Sequence, residues 1–96
     1  MGTIPEYRAI LVRELESRVK RNNRYSLRAF ARSLQVDPSD LSRILGGKGR
    51  VSPKMAQRLV KELGLEPKDA QSFIESVLNE RMELMKHVLT LPSKEN

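Results

Sequence analysis

The sequence predicts an all-α fold of five helices, and three observations carry that prediction. Apolar residues recur at i, i+3, i+4 and i+7, as in Leu27, Phe30, Ala31, Leu34 and again in Ala56, Leu59, Val60, Leu63. Capping residues stand directly before first-turn prolines at Asp37-Pro38 and Ser52-Pro53. The apolar–polar alternation of a strand is absent.

The first helix runs from about Pro5 to Lys20, with Tyr7, Leu11, Leu15 and Val19 along one stripe and Ile10 and Val12 beside it. Asn22-Asn23 ends it. Ser26 has the hydroxyl to cap a second helix over Leu27 to Leu34. Asp37 then caps a third over Pro38 to Leu45, with Leu41, Ile44 and Leu45 as its inner face and Gly46-Gly47 as its stop. Ser52 starts a fourth that ends before Gly64, and Glu66-Pro67-Lys68-Asp69 opens a fifth. Nothing interrupts the fifth before about Thr90, which makes it ~36 Å long at 1.5 Å per residue.

Between the second and third helices only Gln35-Val36 is left to turn the chain. Two short helices joined that tightly form a helix-turn-helix, a unit that commonly lays its second helix in the DNA major groove. On helical geometry Ser39, Asp40, Ser42 and Arg43 face away from the Leu41/Ile44/Leu45 stripe. Arg43 is the strongest base reader of the four, because a guanidinium takes guanine O6 and N7 together. The two serines suit many bases or a phosphate. Asp40 has two readings, first-turn capping or acceptance from cytosine N4.

Charge supports a polyanionic partner. The chain carries a formal net charge of +6 over 96 residues, and all of it lies in residues 1–50. Ser17 to Val36 and Leu41 to Lys61 each hold six bases and no acid, and they flank the turn. Arg24, Ser26 and Arg28 around the second helix start, and Lys48, Arg50 and Lys54 after the third helix, are the expected phosphate contacts.

With these residues in view, the chain resembles a lambda-repressor-like helix-turn-helix protein of the Xre or Cro/C1 type. The resemblance rests on Phe30-Ala31, Leu34, Val36, Leu41, Ile44, the Gly-Gly-Lys loop and Leu63-Gly64-Leu65. More narrowly, Tyr25 to Leu65 is similar to the N-terminal domain of a Bdellovibrio/Fibrobacter-type family of regulators. It implies a five-helix lambda-repressor-like DNA-binding domain that reads double-stranded DNA with helix 38–45. Two departures stand out. Gln35 occupies a turn position usually held by glycine, at ~1 kcal/mol if it is left-handed. Leu27 and Pro38 replace the glutamines that open each motif helix, so base contact is thinner and phosphate contact carries more of the affinity.

The domain is expected over residues 1–80, with 81–96 as a C-terminal helix extension and tail. Ala70, Phe73, Ile74, Val77 and Leu78 suffice to close the core. The extension still carries Met82, Leu84, Met85, Val88, Leu89 and Leu91, a surplus of apolar side chains. Met82, Met85, Val88 and Leu89 are assigned to a homodimer interface. The alternatives are a fold-back onto Tyr7, Leu11 and Val12, or a different protein partner, as in an adaptor or an antitoxin.

Other chemistries lack their residues. There is no cysteine, and a single histidine, His87, makes neither a metal site nor a catalytic dyad. The serines have no histidine beside them to activate them. Gly46-Gly47-Lys48-Gly49 follows a helix and lacks the GK[ST] ending of a phosphate loop. No enzyme activity, cofactor, small-molecule ligand or membrane association is expected, and the absence of a leader pattern points to a cytoplasmic, nucleoid-associated protein. The functional expectation is a sequence-specific transcription regulator, with weakly specific nucleoid-type DNA binding as its alternative.

Overall fold

A computed structural model describes residues 4–90, and these form five helices with no strand among them. They are α1 (Glu6–Arg21), α2 (Leu27–Leu34), α3 (Pro38–Leu45), α4 (Pro53–Leu63) and α5 (Pro67–Thr90). Three of the starts use the expected caps. Ser26 Oγ accepts from Ala29 N–H at 3.1 Å, Asp37 from Ser39 N–H at 2.8 Å and Ser52 Oγ from Met55 N–H at 3.1 Å. Each replaces a bond that a helix cannot make internally at its first turn.

The first helix is capped differently. Pro5 precedes it and has no side chain to offer, so α1 begins at Glu6. The free Tyr7 N–H is taken instead by Ser76 Oγ of α5, at 2.9 Å. A tertiary contact thus does the work of a local cap.

One core joins all five helices. Tyr7, Ile10 and Leu11 of α1 meet Phe30, Ala31 and Leu34 of α2, Leu41 and Ile44 of α3, Ala56 and Leu59 of α4, and Phe73 and Val77 of α5. Val51 completes it from the loop, 1% exposed. It stands just before the Ser52 cap, and Ala56 four residues into α4 is also buried, the placement of a hydrophobic staple. Tyr25 repeats the device before Ser26, with its ring 6.4 Å from that of Phe30 in an edge-on arrangement.

Two sequence expectations are corrected at the ends of the apolar stripes. Val19 is exposed, because the last turn of α1 runs past the elements that cover Tyr7 and Leu11. Leu78 is 44% exposed and does not close the core; Phe73 and Val77 do so, and Leu78 lies ~120° round the helix from their mean direction.

Beyond Glu80, α5 leaves the body of the molecule. Every side chain from Arg81 to Leu89 is exposed, with Met82 at 62%, Met85 at 60%, Val88 at 60% and Leu89 at 76%. The fold-back onto α1 is therefore overturned: α5 stays straight and carries these residues away from Tyr7 and Leu11. Leu91 lies outside the described residues. The radius of gyration is 15.3 Å, against ~12.5 Å for a compact chain of this length, and the molecule measures 58 × 27 × 26 Å.

Candidate nucleic-acid interface

Gln35 is the pivot of the motif. Its φ of 59° and ψ of 43° are left-handed, the one such conformation among described non-glycine residues. Gln35 N–H donates to the Arg32 carbonyl at 3.1 Å and Val36 N–H to the Ala31 carbonyl at 3.0 Å, a Schellman ending for α2. An L-residue in this region costs ~1 kcal/mol or more. Two bonds to α4 offset part of that cost: Gln35 Nε2 donates to Glu62 at 2.8 Å, and Arg58 donates to the Gln35 carbonyl at 3.3 Å. The turn is thus anchored to α4, and Ala31, fully buried, leaves room for α2 and α3 to pack together.

Helix α3 follows with Leu41 and Ile44 inward and Ser39, Ser42 and Arg43 exposed. Asp40 is half-exposed. The N-terminal cap belongs to Asp37, while an Asp40 carboxylate oxygen accepts from Arg43 NH2 at 3.4 Å. With 65% and 49% of the two side chains exposed, this pair contributes little to stability. Its effect is to bias the guanidinium toward one side of α3.

The loop after α3 is held close. Lys48 and Gly49 N–H groups both donate to the Arg43 carbonyl, at 2.8 and 2.9 Å. A Cβ on Gly49 would stand 3.2 Å from Arg43 Cβ and from Ile44 N, so a larger residue would push the loop outward by a few tenths of an ångström. Asp40, Arg43 and Arg50 border one shallow hollow of about 220 Å³ with Gly49 and Met55. Lys54 borders a second hollow, of about 350 Å³, with Gln35, Arg58 and Lys61. The structure therefore joins Arg50 to the face of α3, and Lys54 to the turn through α4. Arg58 and Lys61 enter the cationic group here although sequence reasoning did not single them out; their place in an acid-free block was the available signal.

Arg24 and Arg28 are exposed at the start of α2. Ser26 spends its oxygen as the acceptor of the cap and keeps its O–H as a donor outward. Leu27 is half-buried against the core and Pro38 lies at the first position of α3, so neither offers a polar group to a ligand.

Not every base in these blocks faces outward. Arg18 donates to Glu14 at 2.9 Å, to Tyr25 Oη at 3.0 Å and to Ser33 Oγ at 2.9 Å, and its guanidinium lies 5.1 Å from the centre of the Phe30 ring. Burial works against its charge, but the bonds to Tyr25 and Glu14 prevail and its pKa is raised. Arg18 is a structural residue that ties α1 to α2.

Arg8 was invisible in the sequence. Its Nε donates to the Ile44 carbonyl at 2.8 Å, its guanidinium lies 5.5 Å from the centre of the Tyr7 ring, and Glu80 is 3.9 Å away. It closes the C-terminal end of α3, where a cation also meets the negative end of the helix dipole.

Comparison with known proteins adds one finding. Part of the chain is similar to the protein named uncharacterized HTH-type transcriptional regulator YddM of Escherichia coli K12. The two are 45% identical over 42 residues, which cover 44% of this chain and 45% of that protein. The match thus spans less than half of either chain, and it supports the helix-turn-helix reading. No family model matches the chain, and no solved structure matches it.

Among the described residues no group of three or more His, Cys, Asp or Glu is placed to hold a metal ion, and no helix is long and apolar enough to cross a membrane. The site is the exposed face of a short helix, bearing one arginine and two hydroxyls and bordered by cations. Its chemistry is hydrogen-bond donation and charge, suited to binding an anionic polymer.

Proposed function

We propose that this chain is a sequence-specific double-stranded DNA-binding transcription regulator that reads the major groove with α3 and acts as a homodimer. The observation that carries this reading is the exposed Ser39/Ser42/Arg43 face, held by a left-handed turn anchored to α4 and bordered by Arg50. The partial likeness to a protein named as an HTH-type transcriptional regulator supports it. Arg43 is the base reader, with Ser39, Ser42 and Asp40 beside it. Arg24, Ser26, Arg28, Lys48, Arg50 and Lys54 seat the phosphates, and Arg58 and Lys61 add to that group. The described end of α5, through Met82, Met85, Val88 and Leu89, is the face offered to a second copy.

Leu27 and Pro38 favour a second reading, weakly specific nucleoid-type binding, because both remove polar groups from helix starts near the DNA. Selection from a random duplex pool at physiological salt separates the two. An enriched motif supports the regulator. Tight binding at low salt with no motif establishes the nucleoid-type alternative, and no duplex binding at any salt overturns both.

A further inference from the structure

The exposed half of α5 carries a second apolar stripe whose direction differs from the core-facing one. Leu78, Met82, Met85 and Leu89 are spaced four, three and four residues apart, the alternation of d and a positions in a heptad. At 100° per residue their mean direction is about 130° round the helix from that of Phe73 and Val77. All four are exposed, and three of them by 60% or more. One side of α5 thus builds its own core, and the other presents a ready seam.

The charges beside the seam favour one direction of pairing; Lys86 lies 3.7 Å from Glu83 of its own helix, an exposed pair that offsets little of its charge toward a partner. In this phase Arg81 falls at a g position and Lys86 at the next e position. A parallel in-register pair would set Arg81 of each copy against Lys86 of the other, two cation–cation contacts. Reversing one helix removes both. With Leu78 opposite Leu89 and Met82 opposite Met85, all four layers are filled; Arg81 then lies beside Val88, and Lys86 beside Asn79, whose amide oxygen accepts from an ammonium group. This register is self-complementary under a two-fold axis, as a pair of identical chains requires.

We infer that the stripe Leu78/Met82/Met85/Leu89 pairs antiparallel with the same stripe of a second copy of this chain. This deepens the homodimer reading above and rests on it, but it does not depend on DNA binding. A seam this short buries less than the ~1,200 Å² of standard stable interfaces, so free dimers are weak and exchange readily.

The chain contains no cysteine, which makes disulfide trapping clean. In the full chain without DNA, Leu78→Cys and Leu89→Cys are purified separately, then oxidised alone and as an equal mixture. The antiparallel register places 78 against 89 of the partner and holds two copies of 78 ~16 Å apart, beyond disulfide reach. The mixture is expected to form the mixed dimer at least tenfold faster than either variant forms its own. Adding Met82→Glu to both variants should suppress that dimer. Far-ultraviolet circular dichroism confirms the fold, since both positions are exposed. Faster self-linking of each variant alone overturns the inference in favour of a parallel pair, and absence of linking in all samples overturns the seam itself. With no duplex present, either result is distinguishable from failure of the DNA selection.

Discussion

Arg8 Nε donates to the Ile44 carbonyl at 2.8 Å, across 36 residues of sequence, and so the first helix closes the end of the third. The bond is part of a chain of contacts: Glu80 accepts from Tyr7 Oη at 2.6 Å and stands 3.9 Å from Arg8. The orientation of α3 is thereby tied to α1 and to the point where α5 leaves the body.

Arg8→Ala should destabilise the protein by about 1.5–3 kcal/mol, since a charge-assisted bond is lost and a helix carbonyl loses its cation. Arg8→Lys should cost less, because it keeps the charge without the guanidinium geometry. Urea denaturation measures both. Equal costs for the two variants would refute the directional role of Nε.

Gln35→Gly should change stability by less than about 1 kcal/mol. It relieves left-handed strain but gives up the bond to Glu62 and adds freedom to the unfolded chain. Gln35→Val should cost well over 1 kcal/mol, because a β-branched side chain tolerates this φ poorly. Thermal melts of the two variants test the assignment, and a Val variant as stable as the Gly variant contradicts it.

Arg43→Ala should flatten the preference among duplexes by about 1–3 kcal/mol at one base pair. Lys48→Ala and Arg50→Ala should weaken all duplexes alike. A dimer that neutralises ~8 phosphates gives a log–log salt slope near −7, and each lysine or arginine removed per protomer lowers it by ~1–2. Titrations at several salt concentrations on matched and unmatched duplexes read both effects. Loss of preference in the Lys48 variant and not in the Arg43 variant would reverse the roles.

Tyr7 has its pKa raised to about 12, by burial first and then by its bond to Glu80 and that carboxylate's charge. The fold therefore favours the neutral phenol. Its contribution to stability is full below the ordinary tyrosine value of 10 and is lost as pH climbs through about 12. Absorbance at 295 nm should show a late-ionising phenol in the natural chain that is missing from Tyr7→Phe. The loss of stability between pH 10 and 12 should be shallower in Tyr7→Phe than in the natural chain.

The bounds of α2, α3 and α4 were legible because each start has a local cap and each inner face a clear period. The reading face of α3 was legible for the same reason: Leu41 and Ile44 fix which side turns outward. What lay beyond reading depends on contacts distant in sequence. Nothing near Arg8 marks it as the partner of Ile44, and Arg18 looked like any other base in an acid-free block. Val51 sits among glycines and a proline in a loop, and only its place before the Ser52 cap betrays a buried role. The stripe on α5 was visible as surplus, but its separation from the core face needed the position of Phe73 and Val77 against α1.

Helix α3 has eight residues, about two turns, far below the length at which a helix persists alone in water. The face proposed to meet DNA therefore has no existence apart from the packed core. Duplex recognition and global folding should fail together on heating, at one temperature, and any variant that loosens the interior should lose occupancy on DNA in proportion to its unfolded fraction. Substitutions that weaken binding far from the groove can be sorted from true contacts by that single criterion.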